Sequence, residues 1–423
     1  MLSNRGVKYI FSLAIIAITA TFSMTSQATP AFARQMGQAC LSCHFQHFPT
    51  LNTHGQKFKA GGYTEMGKQG TLKGEGLSLP STLNASLFTK IRYQTTNGSD
   101  LPGTSTAGSG QLQFPDEFAL LFGGRISDNI GFMLEGQLAN GAAPFLAGFK
   151  MPFMYDVKGT KVGVIPYTTD ALGAAYGFEL LSTGAVRNIR TMEHRNESSA
   201  QQYIGTATAA MGVAFVAWNP DYFVNVSKWS PNNAAVSDGL ANGNPSSTYV
   251  RAAYTPTLGT WETAIGGQYW GGHSNVGDVN DLVRPVDTKA WAIDAQAQGS
   301  VMNLPLGVYF SHANAKGTKA GGQANLFNLD RNGNGNPNDK TATAISAELG
   351  IVPNKATIML AYRNGDNGKA TNSSDNAVSI GATYSIAQNV QLQFQHSNRT
   401  QAGYEGTATG GDKLTTFMLS SGF

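Results

Sequence analysis

The chain has 423 residues, of which 50 are Gly and 13% are charged, about half the ~25% of an average soluble protein. The formal net charge of +3 falls to +1 (3 − 2) if residues 1–33, which carry Arg5, Lys8 and no acidic residue, are removed. This near-neutral balance argues against nucleic acid as a partner. Few charges, many glycines and only one long apolar run favour either a secreted β-protein or an outer-membrane β-barrel.

Residues 1–33 have the composition of an export signal. A basic start is followed by the apolar residues 9–24, and residues 31–33 form an A-x-A cleavage site. The apolar run is short for a membrane span, which argues against an uncleaved anchor. We therefore expect an exported protein whose mature chain begins at Arg34.

Both cysteines of the chain lie in the segment Cys40-Leu-Ser-Cys43-His44. C-x-x-C-H is the attachment motif of c-type haem. On a helical turn, positions i and i+3 share a face, so each thiol can add to one haem vinyl group. A zinc ribbon needs further cysteines, and a strained disulfide would leave the histidine unexplained. We predict one covalent haem c on Cys40 and Cys43, with His44 as the proximal iron ligand.

The second axial position of the iron has several candidates. His54, Met66 and Met36 are all near enough in sequence, and a five-coordinate iron is also open. His47 follows His44 by three residues and is expected on the surface. About 45 residues are too few to fold alone, so we expect the haem to complete a small core that includes the apolar residues around the motif: Phe45, Phe48, Pro49, Leu51, Phe58 and Tyr63.

From residue 81 onward, apolar and polar residues alternate with a period of two, which indicates β-strands with one apolar face. Short turns and long loops alternate between the segments, as in outer-membrane barrels, and an even strand number places both barrel ends at the short-turn, periplasmic rim. Sixteen strands are predicted near residues 81–95, 112–126, 129–141, 145–157, 160–168, 205–219, 221–231, 246–256, 259–272, 287–301, 303–315, 340–352, 354–364, 375–387, 389–400 and 411–423.

Two long connections are unusual. Residues 169–204 contain many apolar residues, so this connection could fold into the lumen or cover it. Residues 330–341 imitate the first half of a calcium loop, but Thr341 replaces the Glu required at its last position, so we expect an Asn/Gly turn. No catalytic constellation is visible, and four histidines are expected to be isolated polar residues: His194, His273, His312 and His396.

The run from Pro30 to Tyr63 resembles the fused monohaem cytochrome–porin family of outer-membrane iron oxidases. The matching positions are Phe48-Pro49, Leu51-Asn52, Gly55, Phe58-Lys59 and Gly62-Tyr63. His54 stands where the family pattern has Phe. The resemblance implies a signal peptide (1–33), a small, partly helical haem domain that plugs the lumen (34–80) and a sixteen-stranded, all-β porin-like barrel (81–423).

The resemblance also implies a function and its partners. Extracellular Fe(II) would give single electrons to the haem, which would pass them to a periplasmic c-type cytochrome. Cys40, Cys43 and His44 carry over as the haem-binding residues, and the protein would act as an Fe(II)-oxidising oxidoreductase without catalytic side chains. Two alternatives remain: a solute porin with a haem plug, and an electron conduit with another donor or with outward flow.

Overall fold

The structure is a computed structural model that describes residues 31–75, 77–98, 108, 110–138, 146–185, 192–232, 244–277, 283–330, 332–403 and 411–423. Most of the predicted export signal, residues 1–30, lies outside these ranges. Among the described residues, no helix is both long enough and apolar enough to cross a membrane.

Strands dominate the described residues. They are β1 (Thr71–Gly74), β2 (Leu77–Pro80), β3 (Ala85–Thr96), β4 (Gln111–Arg125), β5 (Gly131–Gln137), β6 (Leu146–Lys150), β7 (Phe153–Val157), β8 (Thr160–Thr169), β9 (Ala210–Asn219), β10 (Tyr222–Ser230), β11 (Ser247–Tyr254), β12 (Thr257–Leu258), β13 (Trp261–Gly271), β14 (His273–Gly277), β15 (Val283–Asp287), β16 (Ala290–Val301), β17 (Leu304–Ala315), β18 (Lys340–Val352), β19 (Ala356–Asn367), β20 (Asn376–Ala387), β21 (Val390–Thr400) and β22 (Lys413–Gly422). The helices are α1 (Ala31–Met36), α2 (Thr53–Ala60), α3 (Arg195–Ser198) and α4 (Ala200–Tyr203).

One closed antiparallel barrel contains all strands except the hairpins β1–β2 and β14–β15. The barrel wall has sixteen strand positions. The strands β6 and β7 both pair with β8 and together occupy one position, and β12 only extends the turn after β11. The last strand, β22, pairs with the first barrel strand, β3, and so closes the barrel, with Phe417 opposite Tyr93. The predicted sixteen-stranded all-β barrel is therefore confirmed.

The two faces of the barrel wall have the reverse polarity of a soluble protein. On β19, Ile358, Leu360 and Tyr362 are 46%, 58% and 44% exposed, whereas the alternate positions Met359 and Arg363 are buried. An outward apolar face and a polar lumen are the pattern of outer-membrane barrels. The exposed face therefore suits lipid.

The N-terminal segment, defined here as residues 31–70, contacts the inner wall at the short-turn end of the barrel. Gln35 at the end of α1 bonds Asn84 at 3.3 Å, and Arg125 of β4 donates to the Thr64 carbonyl at 3.0 Å. Phe32 stacks on Tyr63 with ring centroids 4.7 Å apart. The cleavage predicted after Ala33 thus falls inside α1.

The described parts of the connection 169–204 lie inside the barrel. We call residues 170–185 and 192–206 the inward segment. Its Ser182 amide donates to Gln296 at 2.8 Å, and Thr183 donates to Asp294 at 2.7 Å; both acceptors are inward-facing residues of β16. Tyr203 of α4 donates to Asp375 at 3.0 Å. These buried bonds favour the lumenal alternative over a covering loop.

Another long connection fills part of the opposite, long-loop end. Phe327, which is 2% exposed, packs between Trp229 of β10 and Trp270 of β13, with ring centroids 6.4 and 6.0 Å away. Large buried aromatic rings contribute strongly to packing energy. The long-loop mouth is therefore filled with side chains at this position.

Candidate haem site

The C-x-x-C-H motif folds as a single helical turn. Cys40–Ser42 is a 3₁₀ turn, and the amides of Cys43 and His44 both donate to the Cys40 carbonyl at 3.1 Å. This winding brings both thiols to one face, as the spacing predicts. Both cysteines are free thiols, and Cys40 is buried while Cys43 is half-buried.

The surroundings of the two thiols disfavour thiolate chemistry. Burial raises the pKa of the Cys40 thiol, and burial together with the nearby charge of Glu65 raises the pKa of the Cys43 thiol. Metal binding through sulfur requires thiolates. Both groups are therefore suited to remain protonated thiols, the form that adds across a vinyl group.

His44 is held with one ring nitrogen occupied. Its Nδ1 lies 3.3 Å from the Thr50 carbonyl oxygen, and its ring meets the Phe48 ring edge-on at 5.2 Å between centroids. Burial lowers the pKa of His44 to about 4, so the imidazole is neutral. Metal-binding histidines commonly donate their second N–H to a carbonyl, which leaves the other nitrogen to the metal. The contact of His44 Nδ1 with the Thr50 carbonyl is of this kind.

Helix α2 and its cap residue pack against the C-x-x-C-H turn. Asn52 caps the helix by accepting from the Gly55 amide at 3.0 Å, and it donates to the Ser42 carbonyl at 3.1 Å. A Cβ at Gly55 would collide with the Cys43 carbonyl. The Asn-x-x-Gly spacing therefore fixes the distance between the helix and the haem-binding turn.

Cys40, Cys43 and His44 line one cavity of about 350 Å³, within the ~300–1,000 Å³ of typical cofactor and ligand sites. Three parts of the chain form its walls. The N-terminal segment supplies the motif, the barrel supplies both apolar and polar side chains, and the inward segment supplies Leu180 and Leu181. The lining residues from barrel strands include Phe88, Leu121, Phe122, Met133, Glu117 and Glu135.

The cavity lies at the short-turn end of the barrel. Its lining includes Asn354, from the turn between β18 and β19, and Gln388 and Asn389, from the turn between β20 and β21. On β4, the lining residue farthest from the short-turn end is Glu117. From Glu117 to Phe122 the wall extends ~17 Å along the strand, at ~3.3 Å per residue.

The prediction that His47 lies on the surface is wrong. Its ring is 3% exposed, and its Nε2 lies 2.6 Å from a carboxylate oxygen of Glu348, an inward-facing residue of β18 that is fully buried. The Glu348 charge and hydrogen bond raise the pKa of His47 against the opposing effect of burial. Gln46 donates to the Glu348 carbonyl at 3.4 Å. The residues after the motif are thus tied to the barrel wall by a pair that sequence reasoning missed.

A second buried ionic group joins the inward segment to the wall. The Arg251 guanidinium of β11 bonds Glu179 at 3.0 Å and Asp294 at 2.5 Å, and all three side chains are at most 3% exposed. Glu179 also lines the cavity. Buried charges persist only when they are paired and hydrogen-bonded, so this triad holds the inward segment in place.

The three predicted candidates for the second iron ligand lie in different surroundings. Met36 is 5% exposed and lines the cavity. His54 instead bonds Gln38 through its Nε2 at 3.0 Å, and Met66 is half-buried; neither is among the lining residues.

The other predicted features lie away from the cavity. Asp330 accepts from the amides of Asn332 at 2.9 Å and Asn334 at 2.7 Å, which is the expected Asn/Gly turn. Within the described ranges, no three His, Cys, Asp or Glu side chains form a candidate metal site. His194 is buried and bonds the hydroxyls of Ser397 and Thr416, both at 2.7 Å.

The residues present fit a covalent haem. The cavity has two protonated thiols on one helical face, a neutral imidazole oriented by a carbonyl, and walls that are mainly apolar. These are the groups that c-type attachment and axial ligation require. The same residues lack the further cysteines of a zinc site.

No protein-family model and no curated protein matches the sequence. Solved structures with a similar chain path include the outer membrane channel DcaP of Acinetobacter baumannii, with 13% identity and a TM-score of 0.49 over 84% of this chain and 100% of that chain. OprB of Pseudomonas putida has 10% identity and a TM-score of 0.47, over 81% and 94%. A loop-deletion mutant of OmpT from Vibrio cholerae has 10% identity and a TM-score of 0.46, over 81% and 99%. The barrel assignment rests on the strand pairing described above.

Proposed function

We propose that this protein is an outer-membrane electron conduit in which Cys40 and Cys43 hold one covalent haem c and His44 is its proximal ligand. The observation that carries the proposal is the cavity inside the barrel at which these three residues meet. The haem would supply a one-electron redox group there. The barrel would span the apolar layer of the membrane, which is ~25 Å tall. Electrons do not cross such a layer without a redox group.

The packing of the lumen supports transfer of electrons rather than of solutes. The N-terminal segment occupies the short-turn end, the inward segment bonds the wall, and Phe327 fills part of the long-loop mouth. The Arg251 triad and the His47–Glu348 pair are both buried, and breaking such pairs is costly. Internal segments fixed in this way act as a scaffold for a redox site.

The proposed direction follows from the family resemblance. Extracellular Fe(II) is the donor at the long-loop end, and a periplasmic c-type cytochrome is the acceptor at the short-turn end. Phe48 suits a role on the path to the acceptor, because it lines the cavity at the short-turn end and its ring centroid lies 5.2 Å from that of His44. An acceptor that docks at the short-turn end would approach the part of the cavity that contains His44.

The test uses cells that mature c-type cytochromes and carry the protein in their outer membrane. Fe(II) is added anaerobically to intact cells, and the absorption band of reduced haem is followed. We expect rapid reduction in wild-type cells and none in cells with the Cys40→Ala, Cys43→Ala double variant, which should still form the barrel. Reduction by dithionite but not by Fe(II) would reject Fe(II) as donor while leaving the conduit.

The solute porin with a haem plug is the competing function, and the exposed apolar wall around a polar lumen is compatible with it. Conductance in planar bilayers separates the two. A conduit with a filled lumen should show at most small, ion-sized conductance. Steps large enough for sugars, with sugar uptake into liposomes, would favour the porin and contradict the conduit.

A further inference from the structure

The second axial position of the proposed haem can be assigned from the cavity, and this inference rests on the proposed function. A ligand for that position must reach the same space as Cys40, Cys43 and His44. Of the three residues that the sequence offers, only Met36 lines that space. The thioether of methionine is a known axial ligand of haem in cytochromes c.

The other two candidates, His54 and Met66, make their contacts outside the cavity. The Nε2 of His54, the nitrogen that iron would need, is 3.0 Å from the Gln38 side-chain oxygen. Met66 is half-buried outside the cavity, and the next residue, Gly67, donates its amide to the Gln35 carbonyl at 3.2 Å. Moving the His54 ring into the cavity would break its bond to Gln38, and the Gly67 bond holds the backbone next to Met66 in its place outside the cavity.

Met36 is held firmly where it is. It belongs to a buried cluster with Phe58 and Tyr63, and it ends helix α1. The preceding residue, Gln35, donates to the carbonyls of Tyr63 and Glu65, both at 2.7 Å. These bonds tie α1 to the residues after α2, so the Met36 side chain projects from a fixed part of the N-terminal segment.

A second thioether also lines the cavity. Met133 of β5 is half-buried and packs against the same cluster from the barrel wall. Met36 has the stronger claim for two reasons. It is more deeply buried, and it lies four residues before Cys40 in the segment that carries the whole attachment motif.

We propose that Met36 is the second axial ligand, so that the haem iron is held by His44 and Met36. Thioether ligation raises the reduction potential of a haem above that given by two nitrogen ligands. A high potential is what an acceptor of electrons from Fe(II), a weak reductant, requires. The assignment therefore gives a chemical reason why this haem would suit that donor.

The test uses the purified full-length haem protein in detergent. Met36→Leu removes the sulfur but keeps a similar side-chain volume, which a core usually tolerates. Met66→Leu and Met133→Leu are the matched controls. The readouts are the far-red absorption band of a thioether bound to ferric haem, and the midpoint potential of the haem. Covalent haem content is measured separately by mass.

We expect the far-red band in the wild type and in both control variants, and its loss in Met36→Leu. The midpoint potential of Met36→Leu should fall by at least ~59 mV, a tenfold change in the one-electron equilibrium. A band that survives in Met36→Leu, or disappears in Met133→Leu alone, would overturn the assignment. A wild-type protein with covalent haem and no such band would also overturn it, while leaving the conduit. Absence of covalent haem from the wild type would overturn both proposals.

Discussion

Replacing Glu348 with Ala should destabilise the attachment of the N-terminal segment to the barrel. The carboxylate lies 2.6 Å from His47 Nε2, and both side chains are at most 3% exposed. Removing one partner of a buried ion pair typically costs ~3–5 kcal/mol, because the other is left without compensation. His47 can shed its proton, so we expect the lower end, about 3 kcal/mol in the free energy of unfolding. Glu348→Gln keeps a hydrogen-bond acceptor and should cost less.

The same pair predicts a pH dependence with a definite sign. The pKa of His47 is raised in the folded protein, so the pair stabilises fully below the unfolded value of ~6.5 and this contribution is lost as pH rises through the folded value. The wild type should therefore lose stability above neutral pH more steeply than Glu348→Ala.

Urea unfolding of the purified protein in detergent measures both effects. Folded protein is followed by protease resistance of the N-terminal segment at pH 5.5 and pH 8.5, values chosen as about one to two units either side of ~6.5. Lys289→Ala is the control, because its pair with Asp287 at 2.8 Å is largely exposed on the lysine side and should contribute ~0–1 kcal/mol. Equal stability and equal pH dependence in wild type and Glu348→Ala would refute the reasoning.

Three further predictions concern the site and the lumen. Gly55→Ala should displace α2 from the Cys43 carbonyl and reduce the yield of covalent haem. Gly61→Ala should leave the yield unchanged, because Gly61 has φ −73° and no atom lies closer than 3.4 Å to the added Cβ. Haem staining of equal protein amounts compares the two variants. Asn52→Ala should lower stability by ~1 kcal/mol through loss of the helix cap, as measured by urea unfolding. Arg251→Ala should leave two buried carboxylates unpaired, cost ~3–5 kcal/mol and raise ion conductance in planar bilayers; unchanged conductance would show that the inward segment stays in place without the triad.

The barrel was predictable because lipid and lumen impose opposite demands on alternate residues. Each of the sixteen predicted strands overlaps one strand position of the barrel, including the position that β6 and β7 share. The hairpins β1–β2 and β14–β15 were missed, since they lie outside the barrel wall and lack that alternation. All residues of β14 and β15 except Asp287 lie between the predicted strands 259–272 and 287–301.

The lumen was much less predictable than the wall. The motif specifies its own turn, so Cys40, Cys43 and His44 could be placed together from sequence. The partner of His47 lies 301 residues away, and nothing in the local pattern distinguishes Glu348 from another lumenal polar residue. A polar side chain in this fold is buried by facing inward, which reverses the usual expectation that made His47 a surface residue.

The closure of β22 on β3 has a consequence for the order of biogenesis. Both the N-terminal segment and the inward segment bond the inner wall that this closure completes. Phe327 fills part of one mouth, and the N-terminal segment itself occupies the other end. Glu193 accepts from Lys90 of β3, and His194 bonds Thr416 of β22, so these contacts can be made together only once the seam has formed. A prosthetic group joined to Cys40 and Cys43 would likewise gain its full set of wall contacts only after the seam has formed, because Phe88 of β3 and Ser420 of β22 both line the cavity.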